Sequence, residues 1–182
     1  MLEIIENFLP IDQVKDLNKV VRSSYFPYFY EDEVSEERKE TQFFFAHHLY
    51  IEGRKSSNFF GIADVIFNKI KTMPEFSQLN NHLYQLALHR AKVNCYPRQP
   101  ENLKGFKHTD QEFKHVAALY SINTCNGGTI FHKEEPLFVP AKENTLIVFS
   151  GDIPHQPVFQ TDTKLKLNVN FNLISGDISK KN

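Results

Sequence analysis

The pattern of apolar and polar positions changes near residue 85. Before it, two stretches carry apolar residues at helical spacing. In "IDQVKDLNKVVRS", Val14, Leu17, Val20 and Val21 recur every three or four positions, and Pro10 stands where a helix start tolerates proline. In "SSNFFGIADVIFNKIKTM", Phe60, Val65, Ile66 and Ile70 fall on one side, with Pro74 just beyond. Between the two, "TQFFFAHHLYI" predicts a strand, and the charge run closing "YFPYFYEDEVSEERKE" predicts a solvated loop. From about residue 85, short apolar segments such as "LALHRAKVNCY", "HVAALYSIN" and "TLIVFSGD" alternate with turn signals, a spacing that predicts an antiparallel sandwich or barrel. The last segment, "KLKLNVNFNL", alternates throughout. Leu165, Leu167, Val169, Phe171 and Leu173 face one way; Lys164, Lys166, Asn168, Asn170 and Asn172 face the other. An exposed edge strand or the lining of a polar pocket inside a barrel would each account for that polar face.

The predicted fold class is therefore mainly β with flanking helices (α+β): a β jelly roll over residues 85–174 with N-terminal helices packed on it. Residues 1–182 read as a single domain, with 1–84 as helical or irregular support and lid. Its 182 residues are enough for a hydrophobic core without staples, and 17 Phe with 7 Tyr and no Trp lean towards wide sheet faces. The net charge of −1 provides no overall field for nucleic acid, and no run of about 18 apolar residues suggests a membrane helix. Cys95 and Cys125 form no CxxC pair, and "MLEIIENFLP" is too short and acidic for a secretion signal. The expected setting is reducing and cytoplasmic.

Within "GFKHTDQEFK", His108 and Asp110 stand two positions apart, so in a strand both side chains reach one point. A third ligand is supplied best by His155, at the end of "TLIVFSGDIPH", where a buried strand breaks into a turn. His115 and His132 are the nearest rivals, but neither follows a buried strand. Two imidazoles and one carboxylate form the facial set of non-haem Fe(II) oxygenases, which leaves coordination positions open for O₂ and a chelating cosubstrate. Lys164, nine residues after His155, offers a cation for the distal carboxylate of a bound dicarboxylate, with Lys166 on the same strand face as second choice. Asn94 and Tyr96 in "VNCYP" share a strand face and can hydrogen-bond carboxylate oxygens. Together these residues describe a site for 2-oxoglutarate.

At these motifs the chain resembles the Fe(II)/2-oxoglutarate-dependent dioxygenase superfamily, particularly its prolyl-hydroxylase-like branch. The resemblance covers about residues 85–174 and rests on "CYP", "HTD", "LYSINTCNGGTIF", "VPAKENTLIVFSGDIPHQPV" and "TKLKLNVNF". It implies a double-stranded β-helix that holds iron through His108, Asp110 and His155. It further implies 2-oxoglutarate bound by Lys164 and Tyr96. Ser121 stands where related hydroxylases carry a second tyrosine, a departure that puts prolyl specificity in question. The implied reaction is hydroxylation of a protein side chain or small molecule with O₂, converting 2-oxoglutarate to succinate and CO₂, with ascorbate as an in vitro supporter. Residues 27–56 and 97–107 are the expected substrate lid. Two alternatives stand beside this reading. An AlkB-like nucleic-acid demethylase shares the NxY and HxD elements but has further arginines on its last strand, where this chain has Lys and Asn. A cupin-like binding protein without turnover lacks the HxH-type pattern here. Neither the substrate nor the oligomeric state is legible from the residues.

Overall fold

The computed structural model describes residues 1–32, 43–77 and 84–177. In chain order the elements are β1 (Leu2–Glu6), α1 (Ile11–Val21), β2 (Phe29–Asp32), β3 (Phe43–Ile51), β4 (Arg54–Lys55), α2 (Gly61–Ile70) and α3 (Pro74–Ser77). The chain continues through β5 (Tyr84–Pro97), β6 (Val116–Ser121), β7 (Gly128–Phe131), β8 (Leu137–Pro140), β9 (Thr145–Ser150), β10 (His155–Val158) and β11 (Leu165–Asp177). A large antiparallel sheet runs β1-β9-β6-β11-β5-β3-β2, with β4 on β3, and a small sheet runs β10-β7-β8. This is the expected mainly β jelly-roll arrangement with helices on one side. No helix among the described residues is long and apolar enough to cross a membrane.

The alternation of "KLKLNVNFNL" explains the layering. Leu167, Val169, Phe171 and Leu173 point outward from the large sheet and are almost fully buried beneath Val14, Leu17, Val21, Ile66 and Ile70 of the helices. Their neighbours Lys166, Asn168, Asn170 and Asn172 are buried too, on the face turned towards the small sheet. β11 is flanked on both sides, by β5 and β6, so of the two readings of its polar face the pocket lining holds and the edge strand does not. A second apolar cluster, including Leu119, Phe131, Val139, Ile147 and Phe149, closes the space between the sheets at one end.

Three expectations are corrected. Val65 in α2 is exposed, and Ile62 and Ala63 take its place on the buried side, because at 3.6 residues per turn the arc through 62, 63, 66 and 70 leaves 65 outside it. Residues 1–84, read as helical or irregular support and lid with one strand, also supply β1, β2 and β3 to the large sheet. Much of the expected lid 27–56 is thus framework, and the charge run from residue 33 to its end at 40, with the first two residues of the strand expected from 41, lies outside the described residues.

Candidate active site

His108 and Asp110 are not in a strand proper. They lie on an extended segment joined to β10 by two isolated bridges, Lys104 with Val158 and His108 with His155; in the second, His108 N–H donates to the His155 carbonyl (2.9 Å) and His155 N–H donates back (2.8 Å). That reciprocal pair sets the two histidines opposite each other, with ring centroids 4.6 Å apart. The Nδ1 of His108 lies 3.0 Å from the Phe106 carbonyl and that of His155 lies 3.3 Å from the Ile153 carbonyl. A carbonyl only accepts, so both rings carry their proton on Nδ1, which leaves each Nε2 lone pair for a metal. Potential ligand atoms of His108, Asp110 and His155 all lie within 4.8 Å of one another.

Asp110 is held at both oxygens. Arg90 donates to Oδ1 at 2.9 Å, while the amides of Asn172 and Asn170 donate to Oδ2 at 2.9 and 3.2 Å. Burial acts against ionisation, but nearby His155 and Arg90 and the two amides outweigh it and hold the carboxyl at about 2. Burial likewise pushes His155 below the usual imidazole range, against the pull of Asp110. The result is a charged carboxylate beside an imidazole biased towards its neutral form, the protonation states that a divalent ion of borderline hardness requires. The donor set therefore fits Fe(II).

The triad opens onto a cavity of about 320 Å³ between the sheets, which Asn94, Tyr96, Asn168 and Thr129 also line. Behind its wall lies Lys166, almost fully buried. Its ammonium donates to the carbonyls of Val158 (2.7 Å) and Gly128 (3.2 Å) and sits 4.5 Å from the centre of the Tyr96 ring. Lys164 is instead exposed, in the turn before β11 begins at Leu165. Of the two candidates for the distal cation, Lys166, the second choice, is thus the buried one, because the strand that turns side chains inward starts one residue too late to include Lys164. Ser121 is buried beside Lys166, lining a small adjoining void rather than the main cavity. Asn94 lines the cavity, and its amide nitrogen is given to Asn168 Oδ1 at 3.0 Å. Thr109 also lines the cavity.

The rival histidines are engaged elsewhere. His132 Nε2 meets Gln156 Oε1 at 2.7 Å, and His115 packs its ring on Gly151 with Nδ1 on the Phe113 carbonyl. Arg90, Lys92, Phe44 and Glu31 around the site did not emerge from the sequence reading. Period-two alternation in "RAKVNCY" puts Arg90 and Lys92 on the same face as Asn94 and Tyr96, so that signal was present.

The glycine turn after β6 serves Lys166. A Cβ on Gly128 would lie 2.3 Å from the Val139 carbonyl oxygen, and one on Gly127 would lie 2.6 Å from that of Val158. Gly128→Ala must therefore push β7 from β8 and disturb the carbonyl that receives Lys166. We expect a loss of roughly 2–3 kcal/mol on overpacking grounds, measured by urea denaturation. A change below half a kilocalorie, roughly the noise of a surface substitution, would refute that view of the turn.

No protein-family model matches this sequence, and no curated protein does. Solved structures do. A 2OG-Fe(II) oxygenase family oxidoreductase from Burkholderia pseudomallei superposes with a TM-score of 0.68 at 10% identity, covering 97% of this chain and 87% of its own. A prolyl hydroxylase from Trichoplax adhaerens, in complex with a hypoxia inducible factor peptide fragment, matches with a TM-score of 0.61 at 15% identity over 95% and 83% of the two chains. A prolyl-4-hydroxylase from Pseudomonas putida matches with a TM-score of 0.61 at 15% identity over 94% and 91%. The resemblance drawn from half the sequence thus extends over nearly the whole chain, which has the fold of the 2OG-Fe(II) oxygenases, prolyl hydroxylases among them.

Proposed function

We propose that this protein is an Fe(II)- and 2-oxoglutarate-dependent dioxygenase that hydroxylates a protein side chain or a small molecule. The observation that carries the reading is the convergence of His108, Asp110 and His155 at a jelly-roll cavity with a buried cation behind its wall. Fe(II), with 2-oxoglutarate and O₂, would supply the oxidising chemistry, the cosubstrate leaving as succinate and CO₂. The residues do the rest. His108 and His155 present Nε2, and Asp110 presents a carboxylate already fixed by three donors. Lys166 receives the distal carboxylate of the cosubstrate, with Tyr96 beside it as a wall. Phe131 and Phe149 pack against the His155 ring and keep that side of the site dry.

The test is succinate formation from 2-oxoglutarate with Fe(II), ascorbate and O₂, run beside chelator-treated protein and His108→Ala. Turnover that depends on iron and on His108 is the expected outcome. Absence of Fe(II) binding, with no succinate under any class of candidate substrate, would overturn the reading.

A further inference from the structure

Resting on the dioxygenase reading, we infer that the substrate is a small zwitterion of the free amino-acid class, and that Lys92 binds its carboxylate. Lys92 projects from β5 into the main cavity, in register with His48 of β3 on one side and Asn170 of β11 on the other. Its ammonium lies 5.1 Å from the centre of the Phe44 ring and meets no hydrogen-bond acceptor among the described residues. Neither of the two nearby carboxylates bonds to it. Asp110 is held by Arg90, Asn170 and Asn172 and faces the metal position. Glu31 leans to His48, 3.6 Å away. Burial, with Arg90 adding to it, makes the Lys92 ammonium harder to keep charged, while Asp110 and Glu31 act the other way. A partly buried cation in a cavity gains most from an anion delivered by a ligand.

The opposite charge stands at the rim. Glu31 and Asp32 of β2 line the same cavity and carry the carboxylates that an ammonium would meet. A molecule with its carboxylate on Lys92 and its ammonium towards β2 matches both ends. Size points the same way. About 320 Å³ is near the lower limit of ligand pockets and must also admit the cosubstrate.

Binding is measured by calorimetry and thermal shift on anaerobic protein loaded with Mn(II) and 2-oxoglutarate. The probes are pools of free L-amino acids, the same amino acids as methyl esters, and the same as N-acetyl derivatives. Free amino acids should bind and raise the melting temperature, the esters should not, and the N-acetyl forms should bind more weakly. Lys92→Met should weaken binding of the selected amino acid by about tenfold to a hundredfold, the range for losing a charge-assisted hydrogen bond. Lys92→Arg should retain most of it. Affinities for Mn(II) and 2-oxoglutarate should stay within about twofold in both variants, since the change of charge is local. Equal binding of esters and free acids, or a Lys92→Met defect confined to 2-oxoglutarate, would each overturn the assignment. Failure to bind Mn(II) and 2-oxoglutarate at all would remove the dioxygenase reading and this one with it. Loading without amino-acid binding would remove this one alone.

Discussion

Asp110→Ala is expected to abolish metal binding and to destabilise the metal-free protein, two losses with different causes. Loss of an outer-shell partner of a metal ligand costs roughly 10–100-fold in affinity, and loss of the ligand itself should exceed that. Calorimetric titration with Co(II) or Mn(II) would then give no measurable isotherm. The stability loss comes from Arg90. Its guanidinium is only 20% exposed and pairs with a carboxylate that is 6% exposed. Breaking a buried pair from one side costs roughly 3–5 kcal/mol, and we expect the lower end because Arg90 is partly solvated. Asn170 and Asn172 also lose their shared acceptor. The cycle partner is Arg90→Met, which removes the stranded cation. The double variant should recover part of the stability and none of the metal binding. If Asp110→Ala binds metal like the native protein, the triad is wrong. If the double variant is no more stable than Asp110→Ala, the Arg90 pair is not what holds that carboxylate in the fold.

The alternation of β11 was enough to place the core. Leu167, Val169, Phe171 and Leu173 pack under the helices as period two requires. Alternation alone did not say whether the opposite face met water or a cavity, because an edge strand and an inner strand have the same pattern. Only the pairing of β11 with both β5 and β6 decides that. The triad was legible for a related reason: HxD spacing holds in any extended backbone, even where the segment forms isolated bridges and no strand. Alternation cannot order Lys164 and Lys166, because that choice turns on where β11 starts, and strand ends are set by turns and not by hydrophobic period. Arg90 was missed because a cation among apolar residues reads as a surface residue until its partner, 20 residues on, is seen beside it.

Lys166→Ala should raise the dissociation constant of 2-oxoglutarate sharply, while Lys164→Ala should leave it within about twofold, as for an exposed surface charge. The argument begins with placement. Two carbonyl oxygens, of Val158 and Gly128, hold the Lys166 ammonium at a fixed point next to the Tyr96 ring. Neither carbonyl carries a full charge, so a carboxylate arriving there adds a charge-assisted hydrogen bond in a site shielded from water. Hydrogen bonds to charged groups contribute about 1.5–3 kcal/mol, so removing Lys166 should cost roughly 10–150-fold in affinity. Calorimetry on Mn(II)-loaded protein reads this directly. A monocarboxylate 2-oxo acid of the same chain length separates the cause from general disruption of the pocket. It lacks the distal carboxylate, so native protein and Lys166→Ala should bind it about equally. Should Lys166→Ala weaken both acids alike, the residue shapes the pocket without reading the distal charge. Should Lys164→Ala be the variant that loses 2-oxoglutarate, the turn before β11 must fold inward, against the exposed position it has here.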